Sequence, residues 1–319
     1  MSAPVSTPMG ELRRYLRPEM MPHLLCPGCG HGIVLQALLR AIDAVGLDRD
    51  RVAVVAGIGC SSRLAGYVDF CTLHATHGRA PAFATGLKLV RPEITVIVIT
   101  GDGDGLAIGG NHLIHAARRN IGLFTLLFNN AIYGMTGGQL APTTPPGRRA
   151  STAPAGNVEP PFDACQLMAA AGATYVARGL AYEPGVLQGL CEEGLRHEGF
   201  AFVEVISDCP EYYGRYNALG RGPEMLQAQR RRTAAVAPLL DRKARLPSTV
   251  MATPGSPAAT PAGVIATPEG RKQSPPGDVP APVGSALATG VLHRASRAEF
   301  TRVCRNSGLH AWRSPEDPR

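Results

Sequence analysis

Thiolates, a carboxylate with a carboxamide, and a glycine-rich turn are the groups in this chain that could hold metals and phosphates. Cys26 and Cys29 stand in a C-x₂-C within CPGCGHG. Cys60 lies in GIGCSSR and Cys209 in SDCPEYYGR, each just past an apolar run of strand length. Four thiolates at one sheet edge complete either a [4Fe–4S] site or a tetrahedral Cys₄ zinc site, and the spacing alone leaves both open. A thioredoxin-like dithiol is discounted, because its C-x₂-C should sit beside a βαβ unit and Cys26 follows an irregular arm. Cys71, Cys165, Cys191 and Cys304 read as ordinary buried or surface thiols.

The turn GDGDG, residues 101–105, lies between a β-branched run and a helical pattern. Glycines let backbone approach a phosphate closely, and a helix N-terminus favours an anion there. The spacing is not G-x-G-x-x-G, and two carboxylates would repel a bare pyrophosphate, so a Rossmann dinucleotide site is excluded. A divalent cation removes the repulsion. Mg²⁺ takes one or two carboxylates plus phosphate oxygens: Asp102 supplies a carboxylate, Asn130 a side-chain oxygen from the next strand tip, and Ile132 a backbone carbonyl. A D-x-D-G calcium loop lacks the rest of its pattern.

The elements that position these groups follow from periodicity. Helices are expected over 31–45, 80–90, about 108–119, 162–171 and 184–196. Buried strands are expected over 52–56, 93–100, 123–128 and 201–206. Strand, glycine-rich turn, helix, strand is a βαβ unit, so the fold class is α/β, a mostly parallel sheet with helices on both faces. Residues 134–161, rich in Gly, Pro and Thr, read as a long functional loop, with GMTGGQ a lid over the site. Three segments are expected: an N-terminal arm over 1–25, a cofactor-binding domain over 26–235, and a Pro/Ala-rich C-terminal extension over 236–319. Within the extension about 246–288 reads as disordered.

With 319 residues and 45% hydrophobic composition the chain can bury a sizeable core. Its formal charge of +7 comes from scattered basic residues and suits docking of acidic proteins or anionic substrates better than nucleic acid. The N-terminus has no apolar signal segment, and no apolar run approaches the ~18 residues of a membrane helix, so a cytoplasmic protein is expected. His77, before a glycine, is expected to contact a cofactor. His112 and His115, at i, i+3 on a helix, are expected to pack or cap.

GDG followed by NN after a strand resembles the thiamine diphosphate-binding motif. The wider set CPGCGHG, GIGCSSR, THGRAPAFATGLK, GDGDGLAIGGNHLIHAARRN, NNAIYGMTGGQLAPTT and VEVISDCPEYYGR is similar to the β subunits of 2-oxoacid:ferredoxin oxidoreductases, most of all the 2-oxoglutarate-type (KorB-like) members. The likeness runs from about residue 20 to 235. It implies Cys26, Cys29, Cys60 and Cys209 as [4Fe–4S] ligands and Asp102, Asn130 and Ile132 as Mg²⁺ ligands. It further implies that Ile58, Gly59, Cys60, Ser61, His77, Gly103, Asp104, Gly134 and Met135 line thiamine diphosphate, with Arg63 near the substrate carboxylate. A redox cluster beside thiamine has a role that zinc does not.

The resemblance implies oxidative decarboxylation of a 2-oxoacid to its acyl-coenzyme A and CO₂, with electrons passing through the cluster to ferredoxin. It also implies an α, or α and γ, partner, since the glutamate that activates the aminopyrimidine has no candidate in this chain. A pyruvate, branched-chain or aryl 2-oxoacid member of the family is the alternative. So is a non-redox thiamine diphosphate decarboxylase, and, from another class, a zinc-stabilised basic nucleic-acid module.

Overall fold

The computed structural model describes residues 9–235 and 287–302. One sheet organises them, with strands in the order β2-β1-β3-β4-β8-β7-β10-β9. These are β1 Val52–Ala56, β2 Cys71–His74, β3 Thr95–Gly101, β4 Leu123–Asn129, β7 Tyr175–Leu180, β8 Ala201–Ile206, β9 Thr233–Ala235 and β10 Leu287–Arg294; β5 Ile132–Tyr133 and β6 Gln139–Leu140 pair separately. Every pairing in the large sheet is parallel except β10 on β7.

Because side chains alternate across a pleated sheet, β1, β3, β4, β7 and β8 feed two cores. Val52, Val54, Ile97, Ile99, Leu126 and Val203 pack with helices α2 His31–Val45 and α7 Pro184–Arg196 on one face. Val55, Val96, Val98, Leu127 and Phe202 pack with α4 Ala80–Val90, α5 Gly110–Arg119 and α6 Ala164–Ala171 on the other. Both faces being covered is why β1, β3 and β4 read as mostly apolar runs. The segments bearing Cys60, Asp102, Asn130 and Cys209 leave the C-terminal ends of β1, β3, β4 and β8, four successive neighbours in the sheet, while Cys26 and Cys29 precede α2.

The arm is not irregular throughout. It holds a short helix α1 Met9–Leu12, buries Leu12 and Tyr15, and bonds Tyr15 Oη–H to Asp43 Oδ1 at 2.8 Å. The expected helix from about 108 begins only at Gly110, after a wide π-helical turn over Gly103–Ile108. The segment expected to be disordered lies outside the described residues up to 286. Residues 287–302, part of the extension, are built into the fold: Asn120 Nδ2–H donates to the carbonyls of Arg297 (3.1 Å) and Ala298 (3.3 Å), and Gly122 N–H to Glu299 Oε1 (2.9 Å). No helix among the described residues is long and apolar enough to cross a membrane.

Candidate active site

A cavity of about 140 Å³ opens where β1, β3 and β4 end. Asp102, Asn130 and Ile132 line it together with Ile58, Gly59, Cys60, Ser61, His77, Gly103, Asp104, Gly134 and Met135. Asp102 is buried; its Oδ1 accepts Gly103 N–H at 2.8 Å and its Oδ2 accepts the Thr143 hydroxyl at 2.6 Å. Burial nevertheless pushes its carboxyl up to about 6, so an ionised Asp102 lacks a full counter-charge. Such a carboxylate suits a divalent cation. Asn130 Oδ1 accepts Ile132 N–H at 3.3 Å, and Tyr133 Oη–H donates to the Gly103 carbonyl at 2.9 Å, tying the two turns together.

Asp104 does a different job from Asp102. Its Oδ1 accepts Ile58 N–H (3.1 Å) and Gly78 N–H (2.6 Å) and lies 2.6 Å from His77 Nδ1, while Oδ2 accepts the Thr100 hydroxyl (2.6 Å). A saturated carboxylate with 1% side-chain exposure is a hub that fixes three loops and orients His77. His112 and His115, on α5, line neither this cavity nor the one described next.

A second cavity of about 60 Å³ adjoins the first and is lined by Cys26, Cys29, Cys60, Cys209 and Arg63. Burial pushes the Cys60 thiol up to about 11, and the charges of Cys209, Cys26 and Cys29 add to it while Arg63 opposes. Burial likewise raises Cys29 and Cys209. Four unbridged thiols line this cavity and would repel one another as thiolates; no three of their sulfurs lie within 4.8 Å of one another, wider than one tetrahedral zinc ion would gather them. A Cβ on Gly134 would stand 3.3 Å from Cys209 Sγ and 3.6 Å from Cys60 Sγ, so this glycine keeps space beside the sulfurs. Gly28, between Cys26 and Cys29, has φ +84°, and its added Cβ would meet Gly222 Cα at 2.5 Å. Backbone cannot yield there. Gly28→Ala is therefore expected to cost roughly 1–3 kcal/mol from the left-handed φ alone and to lower bound metal, read by thermal unfolding and metal analysis.

Arg63 is exposed and lies at the cysteine cavity, not at the cofactor cavity where a substrate-carboxylate role would first be sought. His31, Cys60, Asn130 and Met135 line both cavities and so form their common wall. His31 is buried, with Nε2 3.3 Å from Ser207 Oγ and its ring edge-on to Phe128; burial pushes it down to about 4, so it is neutral. Sequence reasoning missed His31, Thr143 and Tyr133. All three sit inside the quoted motifs, but nothing in the chain order brings Thr143 to Asp102. A larger cavity, about 370 Å³, opens at the opposite end of the sheet beside Thr95 and Leu123; its Lys88 ammonium is spent on the Pro92 and Ile94 carbonyls.

A parallel sheet with a glycine-rich turn and a carboxylate–carboxamide pair around one cavity at its C-terminal strand ends is the arrangement of a cofactor-binding domain. In agreement, the family "Thiamine pyrophosphate enzyme, C-terminal TPP binding domain" matches residues 57–205. The chain is 54% identical over 214 residues to the 2-oxoglutarate synthase subunit KorB of Methanothermobacter thermautotrophicus, spanning 67% of this chain and 75% of that one. It is 45% identical over 195 residues to the 2-oxoglutarate oxidoreductase subunit KorB of Mycobacterium tuberculosis, spanning 61% of this chain and 52% of the relative. A solved structure, the 2-oxoglutarate:ferredoxin oxidoreductase from Magnetococcus marinus with 2-oxoglutarate, coenzyme A and succinyl-CoA bound, superposes with a TM-score of 0.72 at 32% identity, covering 94% of this chain and 91% of the other. The chain belongs to the KorB family, the β subunits of 2-oxoacid:ferredoxin oxidoreductases.

Proposed function

We propose that this chain is the cofactor-binding β subunit of a 2-oxoglutarate:ferredoxin oxidoreductase, forming succinyl-coenzyme A and CO₂. The observation that carries the reading is the shared wall: the cavity lined by Asp102, Asn130 and Ile132 and a four-thiol cavity meet at His31, Cys60, Asn130 and Met135. A lone decarboxylase needs no thiol cavity, and a zinc-stabilised nucleic-acid module needs no carboxylate–amide pair beside it. Asp102, Asn130 and the Ile132 carbonyl would hold Mg²⁺ on the cofactor diphosphate, with Gly103 and Asp104 backbone at the start of the wide turn. Ile58, Gly59, Ser61, His77, Gly134 and Met135 would line the cofactor. Cys26, Cys29, Cys60 and Cys209 would hold a [4Fe–4S] cluster, and Arg63 would attract the substrate carboxylate. Thiamine diphosphate, when bound, supplies the electron sink for decarboxylation. The protein's own part is to fix His77 through Asp104, to keep the cavities dry, and to seat the metals.

The activating glutamate is expected from the α partner and the electron acceptor to be ferredoxin. In an assay of 2-oxoacid-dependent viologen reduction, the chain with its partner is expected to turn over 2-oxoglutarate in preference to pyruvate. The chain alone is expected to be slower by at least about a hundred-fold, the usual worth of a missing proton-transfer group. Full turnover by the single chain, or indifference to the partner, would overturn the reading.

A further inference from the structure

The long loop that leaves Asn129 and ends at Asp163 carries Asn130, Ile132, Gly134 and Met135, and one buried ion pair joins its two ends. Glu204, on β8 and 1% exposed, accepts Asn129 Nδ2–H at Oε1 (2.7 Å) and Arg178 Nε–H at Oε2 (2.6 Å). Arg178, on β7, donates from Nη2 to Asp163 Oδ1 at 2.7 Å. Burial alone would lower Arg178, but the charges on Glu204, Cys165 and Asp163 outweigh it and keep the guanidinium charged. Asp163, Cys165 and Glu204 bring three ligand atoms within 4.8 Å of one another, the outline of a metal site. Arg178 already supplies their positive charge, so the cluster is a clasp and not a cation site.

The strain lies beside the clasp. Asn129 Oδ1 accepts Ala131 N–H at 3.1 Å, and the Thr144 hydroxyl donates to the Ala131 carbonyl at 2.7 Å. Ala131 has φ +59°, a left-handed conformation costing a residue with a Cβ about 1–3 kcal/mol. The residues on either side of it, Asn130 and Ile132, face the cavity of Asp102. We propose that the Arg178–Glu204 pair, acting through Asn129 and Asp163, holds both ends of the loop and keeps Ala131 strained, so that Asn130 and Ile132 are set for a divalent cation before it arrives. Arg178, Glu204 and Asp163 are thus positioning residues, and none of them lines the cavity. The inference rests on the Mg²⁺–thiamine diphosphate reading given above.

The test is a calorimetric titration of Mg²⁺, at saturating thiamine diphosphate, into the cofactor-stripped complex with the partner subunit. Thermal midpoints are measured alongside. Glu204→Gln is expected to raise the Mg²⁺ Kd roughly ten-fold, the usual effect of removing a group behind a metal ligand. Asp163→Asn keeps an oxygen for the Gln166 N–H cap but removes the charge facing Arg178; it folds more safely and is expected to raise the Kd by a smaller factor. Ala131→Gly relieves the strain, so its midpoint should hold or rise, and added to Glu204→Gln it should recover part of the lost Mg²⁺ affinity, because glycine takes the left-handed conformation without the clasp. A purely structural ion pair would move the midpoints and leave the Mg²⁺ Kd of every folded variant at the wild-type value; that result overturns the clasp. A wild-type complex that takes up thiamine diphosphate with no need of Mg²⁺ overturns the parent reading as well.

Discussion

Replacing Asp102 by Asn is expected to cut turnover of the two-subunit enzyme by more than about a hundred-fold, because losing a direct metal ligand should exceed the 10–100-fold effect of losing a group behind one. The same substitution should stabilise the metal-free chain. Its carboxyl is buried and pushed up from the usual 3.8 to about 6. The folded state therefore binds a proton that the unfolded state has lost between those values, and stability falls as pH rises through this window. Above pH 6 the full penalty of a buried, unneutralised carboxylate is present, up to roughly 3 kcal/mol. Below about pH 4 both states are protonated and it vanishes. Asn keeps an acceptor for Gly103 N–H and leaves Thr143 free to rotate its hydroxyl. Thermal unfolding of metal-free Asp102→Asn should thus exceed wild type at pH 7 and match it at pH 3.5 to 4. Equal midpoints at pH 7 would show that Asp102 bears no uncompensated charge.

Cys209→Ala is expected to separate the two cavities. Cys209 lines the thiol cavity but not the cofactor cavity. On the proposed ligand set, iron and acid-labile sulfide should fall from about four per chain toward zero, since the cluster would need its fourth thiolate. Turnover to an electron acceptor should drop more than about a hundred-fold, by analogy with lost metal-site groups. Thiamine diphosphate binding should survive, because Asp102, Asn130 and Ile132 are untouched. Asp102→Asn should show the mirror image, iron retained and cofactor lost. Zinc in place of iron in the wild-type metal analysis, or a Cys209→Ala protein with its iron intact, would remove the cluster from this chain.

Much of this arrangement was legible in the chain because both faces of the sheet are covered. An uninterrupted apolar run marked β1 to the residue, a run broken only by Glu204 marked β8, and glycine or proline boundaries marked α2, α4 and α7. β7, YVARGL, was illegible for a physical reason: Arg178 breaks the apolar run, and it is tolerated only because Glu204 pairs with it from the neighbouring strand. β2 was missed because an exposed edge strand with one neighbour has no burial pattern to read. α8 Gly222–Arg232 is too polar to show a stripe, yet its Gly222 seats Gly28 of the cysteine loop.

For the site, motif residues converged because successive strand tips of a parallel sheet are neighbours. Of the residues that tension it, Thr143 and Glu204 stand inside the quoted motifs and Arg178 and Asp163 in none, and only the tertiary fold relates the four. Arg63, matched by resemblance alone, lines the thiol cavity beside Cys60.

β10 returns from beyond an undescribed stretch to lie antiparallel on β7, with Ala295 N–H reaching the Thr174 carbonyl. A chain trimmed after Ala235 would lose β10 and leave β7 as the outer strand of the large sheet. A bare row of amide and carbonyl groups would then invite a second molecule to zip alongside. The stretch that looks most dispensable on paper would be what keeps the molecule from sticking to itself.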